Sequence, residues 1–336
     1  MLKIGVIGLG DISKIHIPAI QSNPNAELVA VCDIDPTMEG MVEGPSFYTE
    51  YREMLEQEAL DCVHICLPHH LHYTATKVCV EKGVHVFQEK PLALNAEEGR
   101  LLVELEAQHP EIKIGISLQN RRNETVEKLL ELAEGGEYGQ VMGIKGIVAW
   151  FRPKEYYGIK PWRGQMKYAG GGVMINQALH TMDLMQLVGG DIKKIKGSID
   201  NLLDYGLDIE DTASARIEFV NGAKGLLFAT NANSENSSIE LEVLFEKGKF
   251  TIKDSILLET LSDGTQRIVE EDQKLPGTKF YYGASHLKLI NEFYECIRQN
   301  TDRYIHAKEA QVSMEMIEAI RESSESRKEI TMEVYQ

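Results

Sequence analysis

The chain has 336 residues and a formal net charge of −17, from 35 Lys and Arg against 52 Asp and Glu. Its length suggests about two domains with cores large enough to need no disulfide or metal staple, and 43 % hydrophobic with 26 % charged residues argue against a disordered chain. The acidic balance argues against nucleic acid and anionic membrane as partners, since both need basic surface.

In chain order, residues 2–7 form a short apolar, β-branched run that ends in glycine. Residues 11–22 read as helix, and 28–32 as a second apolar strand ending at Asp33. Residues 51–58 are helical in character, 63–67 form a third buried strand, and 73–82 form a helix closed by Gly83. A fourth strand spans 84–87, Asn95 with Glu98 gives a capping box for the next helix, and 112–117 is a fifth strand. Strands alternating with helices imply a parallel sheet covered on both faces, so residues 1–121 are predicted to form one doubly wound α/β domain.

Beyond residue 138 the pattern changes. Residues 141–150 read as a longer strand, followed by a loop rich in Tyr, Pro and Gly and a helix over 173–188. Several strands then follow with little helix between them, and Asn221-Gly222 between runs 213–220 and 223–230 signals a hairpin. Helical patterns near 284–299 and 307–327 come last. Residues 122–336 are thus predicted to form an α+β domain with a mostly antiparallel, open-faced sheet.

The five cysteines (Cys32, Cys62, Cys66, Cys79 and Cys296) are too few and too scattered for a disulfide framework. They suit a reducing compartment. No apolar run approaches about 18 residues, and the strand starting at residue 2 leaves no room for a signal peptide. A cytoplasmic protein is expected.

Gly8-Leu9-Gly10 follows the first strand and opens the first helix, with Ser13 at the third position of the fingerprint. Gly8 allows the tight turn and Gly10 lets a pyrophosphate approach the helix N-terminus. Asp33, 23 residues after Gly10, stands where a carboxylate would hold ribose hydroxyls. It would repel a 2′-phosphate, and Ile34 supplies no base, so NAD is expected over NADP.

Two patterns have bland readings. Cys62, His64 and Cys66, with His69, His70 and His72 close behind, imitate zinc-ligand spacing. They also lie on a buried strand, where Cys acts as a small hydrophobe, and no metal site is predicted. Val126, Leu129, Leu130 and Ala133 form a helix stripe read as core.

The segment from Gly170-Gly171-Gly172 to Asp183 is the most informative. Asn176, His180 and Asp183 recur at i, i+4 and i+7, on one face of a helix with no other formal charge. Such a stripe faces a cleft or a buried network in which Asp183 holds His180. Histidine suits proton transfer near neutral pH.

With these motifs in hand, the sequence resembles the glucose–fructose oxidoreductase, inositol dehydrogenase and rhizopine-catabolism (Gfo/Idh/MocA) family. Glu89-Lys90-Pro91 matches one family signature, and the Gly-rich run to Asn176 and His180 matches another. Leu67-Pro68-His69 with His72, Gln119-Asn120-Arg121, Tyr157, Pro161-Trp162-Arg163-Gly164, Asn221-Gly222-Ala223 and the late helix with Glu309 also fit. Ser13, His69 and Asn176 depart from the commoner residues.

The resemblance implies hydride transfer between NAD(P) and a secondary alcohol or ketone of a sugar or polyol. It makes His180 the acid/base, Lys90 the group that polarises the substrate oxygen, and Asn176 a hydrogen-bond partner of substrate or His180. It also implies a cis Lys90-Pro91 bond. Cofactor contacts are expected from Gly8, Gly10, Asp11, Ile12, Asp33, Pro68, His69, His72, Glu89 and Lys90. Substrate contacts are expected from Arg121, Tyr157, Trp162, Arg163, Asn176 and His180. The rivals are an NAD-dependent glycosidase using transient oxidation and a non-catalytic sugar sensor. Residues 150–168 carry five basic side chains against Glu155 alone, which favours an anionic sugar derivative. A homodimer or homotetramer is expected through the open sheet face.

Overall fold

The computed structural model describes residues 1–273 and 284–332. The chain forms two compact units, one of Met1–Gln119 and Lys274–Gln311, the other of Asn120–Gln273 and Val312–Gln336.

The first unit opens with strand β1 (Leu2–Ile7), helix α1 (Ser13–Ser22), β2 (Ala26–Cys32), β3 (Ser46–Tyr48) and α2 (Tyr51–Gln57). It continues with β4 (Cys62–Ile65), α3 (His72–Glu81), β5 (His85–Glu89), α4 (Ala96–Gln108) and β6 (Ile114–Ser117). The six strands pair in parallel in the order β3-β2-β1-β4-β5-β6. In this doubly wound order the strand direction of travel reverses beside β1, which leaves a crevice at the carboxyl ends of β1 and β4. Ile4, Val6, Cys62, Val63, Ile65, Val86 and Ile114 are all fully buried. Strands covered on both faces are apolar throughout rather than alternating.

In the second unit come α5 (Glu124–Gly135), β7 (Val141–Ala149), α6 (Lys154–Ile159), α7 (Met166–Ala169) and α8 (Leu179–Gly189). Then follow β8 (Ile192–Asp200), β9 (Thr212–Phe219), β10 (Lys224–Thr230), β11 (Glu240–Phe245), β12 (Lys249–Lys253), β13 (Ile256–Thr260) and β14 (Gln266–Glu271). Helices α9 (Ala284–Gln299) and α10 (Ala307–Ser326) and strand β15 (Ile330–Thr331) complete the described chain. The sheet runs β14-β13-β12-β11-β7-β10-β9-β8-β15. Its pairs are antiparallel except β7 with β10.

The expected hairpin is present between β9 and β10, and Gly222 takes φ +94° in its turn. Asn221 Oδ1 accepts from the Ala223 amide at 3.0 Å, an Asx-type closure. Helix α8 lies close on β7, where a Cβ on Gly146 would meet Met185 and Thr181. Along β10, Leu226 and Phe228 face outward at 52 % and 41 % exposure while Leu227 and Ala229 are fully buried. That is the period-2 alternation of a sheet covered on one side.

Both fold expectations therefore hold, with differences in detail. Strand β3 has only three residues and no period to reveal it. The helix expected over 173–188 is a π-turn at Met174–Ala178 leading into α8. The units are also not contiguous in sequence. A boundary at residue 121 accounts for the first exit from the first unit but not for the return of α9, which packs on α1, β5 and β6. Phe293 of α9 sits against Gly115 of β6, where a Cβ would lie 2.6 Å from its ring. Residues 274–283 and 333–336 of the expected second domain lie outside the described residues.

Candidate active site

The dinucleotide turn is built as its residues demand. Gly8 adopts φ +94°, and a Cβ there would lie 2.6 Å from the Cys66 carbonyl oxygen. Its own N–H donates to the Cys32 carbonyl at 2.8 Å. Asp33 Oδ2 accepts from the Leu9 amide at 2.8 Å, and its Oδ1 accepts from the Asp35 amide at 3.0 Å. The carboxylate thus braces the turn and keeps lone pairs for hydroxyl donors. Ser13, the departure from the fingerprint, is buried with its hydroxyl donating to the Gly10 carbonyl at 2.7 Å. Ile12 caps α1 without a side-chain hydrogen bond, so no side chain of the cap competes for the helix N-terminus. Asp11 and Ile12 lie in this same turn. A backbone cradle that a single Cβ would block, with a carboxylate one strand away, fits a dinucleotide.

Gly8→Ala is accordingly expected to cost about 1–2 kcal/mol from the left-handed backbone alone. The steric conflict should weaken NAD binding at least about tenfold, which a cofactor titration of the variant would measure.

The Lys90-Pro91 turn after β5 is held from beneath. The bond is cis. Thr76 donates to Gln88 Oε1 at 2.6 Å, and Gln88 Nε2 contacts the carbonyls of Glu89, Pro91 and Leu92 at 3.3, 3.2 and 2.7 Å. His72 is fully buried, with Nδ1 2.7 Å from the Pro91 carbonyl and Nε2 2.9 Å from that of Leu67. Burial lowers its pKa, so the ring is neutral and donates to one of the two carbonyls at a time. This corrects the expectation that His72 contacts cofactor: it ties the loop after β4 to the Lys90-Pro91 turn. Pro68 and His69 begin that loop, with His69 buried, and Lys90 itself is half-buried. Glu89, also buried, bonds His16 Nε2 at 2.9 Å rather than facing outward.

Cys62, His64 and Cys66 all point into the core. His64 Nδ1 lies 2.8 Å from His16 Nδ1, and its Nε2 lies 2.7 Å from the Tyr294 hydroxyl.

In the second unit the glycine run has a steric reason. A Cβ on Gly172 would collide with the Glu210 backbone, and the Val173 amide donates to the Glu210 carbonyl at 3.0 Å. The chain then enters the π-turn. Asn176 and His180 are half-buried while Ile175, Gln177, Leu179 and Thr181 are buried. Asn176 Nδ2 lies 3.3 and 3.2 Å from the Gly171 and Gly172 carbonyls. An aspartate could not donate to either, which gives the asparagine its own structural logic.

The structure pairs Asp183 with an arginine. Arg121 donates to both of its oxygens, Nε to Oδ2 at 2.9 Å and Nη2 to Oδ1 at 2.7 Å. Side-chain exposures of 5 % and 1 % make this a buried bidentate pair. The guanidinium expected on substrate thus bonds Asp183 through Nε and Nη2, and burying that carboxylate demands such a partner.

Tyr157 is likewise buried, its hydroxyl 3.3 Å from Asn231 Nδ2, and burial pushes its phenol up to about 12. It belongs to a core network with Gln177, which accepts from Asn231 at 3.0 Å. Trp162 and Arg163 remain half-exposed. The guanidinium of Arg163 lies 4.8 Å from the Tyr156 ring centre and that of Arg152 lies 5.3 Å from it. Arg152 also covers Trp150 at 4.6 Å. The basic loop is thus a cation–aromatic cluster rather than a loose solvated segment.

Gln88, His16, Asn231 and the Arg121–Asp183 pairing were not visible in the sequence pattern. Only Asp183, the lone charge in an apolar helix, carried a signal.

Comparison with known proteins places this geometry. Residues 2–115 match the family model described as an oxidoreductase family with an NAD-binding Rossmann fold, and residues 126–251 match the GFO/IDH/MocA C-terminal domain. The solved WlbA dehydrogenase of Bordetella pertussis, in complex with NADH and UDP-GlcNAcA, is 27 % identical with a TM-score of 0.85 over 99 % of both chains. Myo-inositol 2-dehydrogenase of Thermotoga maritima is 22 % identical over 99 % of both chains. Scyllo-inositol 2-dehydrogenase (NAD(+)) of Bacillus subtilis is 24 % identical over 94 % of this chain and 92 % of its own. With both halves matched by models of one family, the chain belongs to the GFO/IDH/MocA oxidoreductases, and its first unit is their NAD-binding domain.

Proposed function

We propose that this oxidoreductase is an NAD-dependent dehydrogenase of an anionic sugar derivative, of the nucleotide-sugar uronate class. The observations that carry the chemistry are made in each unit by itself: in the first, half-buried Lys90 on a braced turn, and in the second, half-buried His180 at a polar position of a mostly buried helix. NAD held at this turn would supply the hydride acceptor for the carbinol carbon. His180 takes the hydroxyl proton, Lys90 donates to the same oxygen as it becomes a carbonyl, and Asn176 orients the substrate. Gly8, Gly10, Asp11, Ile12 and Asp33 bind the cofactor. Both Asp33 oxygens accept backbone N–H groups, which fixes a carboxylate where a 2′-phosphate would have to sit, and Ile34, 88 % exposed, offers no base.

The cation–aromatic cluster of Arg152, Tyr156, Trp162 and Arg163 supports an anionic substrate, as does the UDP-GlcNAcA ligand of the 27 % identical dehydrogenase. The five buried cysteines, none in a disulfide, support a cytoplasmic setting. No helix among the described residues is long and apolar enough to cross a membrane. Exposed Met142, Leu226, Phe228 and Leu244 on the second sheet support a homodimer or homotetramer.

The test is a screen of inositols, hexoses, uronates and nucleotide sugars for formation of reduced nicotinamide from NAD and from NADP. Turnover of acidic sugar derivatives with NAD is expected. Better turnover of neutral sugars, or equal use of NADP, would refute the substrate class or the cofactor preference respectively. Glycoside cleavage without net NADH would instead favour the glycosidase reading.

A further inference from the structure

The glycine run leading to Asn176 and His180 is gripped by two residues distant in sequence. Glu210, between β8 and β9, reaches it twice: its carbonyl accepts from the Val173 amide at 3.0 Å, and its Oε1 accepts from the Met174 amide at 3.3 Å. Arg321 of α10 donates from Nη2 to the Gly170 carbonyl at 2.5 Å. The same Nη2 lies 3.7 Å from Glu210 Oε2, and the Arg321 and Glu210 side chains of this ion pair are 22 % and 2 % exposed. All of these residues belong to the second unit.

The contacts converge on Asn176. A Cβ on Gly171 would lie 2.1 Å from Arg321 Nη2, so the guanidinium packs on Gly171 as the Glu210 backbone packs on Gly172. The carbonyls of these same two glycines lie 3.3 and 3.2 Å from Asn176 Nδ2, and that of Gly172 also accepts from the Asn176 backbone amide at 3.1 Å. The nitrogen end of the side-chain amide is therefore set by the run. Its other end, Oδ1, is an acceptor whose direction the same contacts fix.

Charge balance alone does not call for this arrangement. A carboxylate as buried as Glu210 demands a cation, but one anywhere beside it would do. An amide at the start of a helix commonly takes a side-chain acceptor. Here the cation that neutralises the carboxylate also holds the carbonyl of Gly170, four residues before the Met174 amide that the carboxylate caps. The run is thereby fastened at both ends. We propose that Arg321 and Glu210 are positioning residues for Asn176: they clamp residues 170–174 and so set the direction in which the Asn176 amide meets substrate.

The inference deepens the dehydrogenase reading and rests on it for the task of Asn176, but the clamp itself is tested without substrate. Arg321→Met deletes the bond to Gly170 and leaves Glu210 without its cation. Combining it with Glu210→Gln removes the carboxylate charge as well, keeps an oxygen for the Met174 amide and should recover much of the thermal midpoint. In both proteins, hydrogen exchange of the peptide covering residues 171–178 should quicken about tenfold relative to the β9–β10 hairpin, through local opening. NAD affinity should be unchanged. On the substrate found by the screen, well below either midpoint, kcat should fall about tenfold in both, the scale of a disturbed reacting geometry. Asn176→Ala should lose at least as much. Added to Asn176→Ala, neither change should lower kcat further, since both act through that amide.

A purely stabilising pair predicts instead wild-type kcat in the combined variant once the midpoint recovers. That result, unaltered exchange at residues 171–178, or losses that multiply with that of Asn176→Ala, would overturn the proposal. If Arg321→Met does not fold, the combined variant decides by the same readings. Absence of sugar turnover in the wild-type protein would refute the dehydrogenase reading, and the clamp would then stand or fall on the exchange alone.

Discussion

Replacing Lys90 with methionine, or His180 with asparagine, is expected to lower turnover by about 10²-fold or more in each case, the usual contribution of a positioned acid or base. Methionine keeps the length and much of the packing of Lys90 while deleting the ammonium. Asparagine keeps a polar group at His180 but cannot take up a proton. The dinucleotide turn is braced through Gly8, Ser13 and Asp33. NAD affinity should therefore stay within a few-fold of the wild type. The check is steady-state turnover on the substrate found by the screen, paired with a cofactor titration. Near-normal turnover in both variants would remove Lys90 and His180 from the chemistry. Loss of turnover together with loss of cofactor binding would assign them to the cofactor site instead.

What could be read from the sequence divides along a physical line. Gly8 and Gly222 were legible because a turn demands glycine locally, whereas the close approach at Gly172 shows only in the fold. The conformations bear this out: positive φ at Gly8 and Gly222, and no room for a Cβ at Gly172. The parallel strands were legible because burial on both faces makes them apolar throughout. Local pattern does not encode which distant residue a buried charge will find. Arg121 and Asp183 are 62 positions apart, and His64 and Tyr294 are 230 apart.

Reading Asp183 as the holder of His180 followed naturally from their spacing on an ideal helix. What it did not include is the buried guanidinium of Arg121, which donates to both carboxylate oxygens. Nothing in Met174–Ala178 announces the π-turn. The half-exposed pair Asn176 and His180 was nonetheless legible, since polar residues within an apolar helix need a reason to be there.

The buried pair itself supports the second large effect. Removing one partner leaves an uncompensated charge in the core, so Arg121→Met or Asp183→Asn should each destabilise the protein by about 3–5 kcal/mol. Arg121→Lys should recover only part of the loss, because a single ammonium cannot reproduce the two parallel N–H···O bonds of the guanidinium. The double variant Arg121→Met with Asp183→Leu removes both charges and should regain most of the stability. Denaturant unfolding followed by a probe in the second unit would measure all four. Asp183 lies three residues after His180 in α8, so the same series separates anchoring from chemistry. If the pair fixes the aim of His180, the double variant should fold with near-native stability yet show reduced turnover and unchanged cofactor affinity. Wild-type turnover in that variant would make the pair a stability element alone, and single variants as stable as the parent would show that the carboxylate is not held as the structure places it.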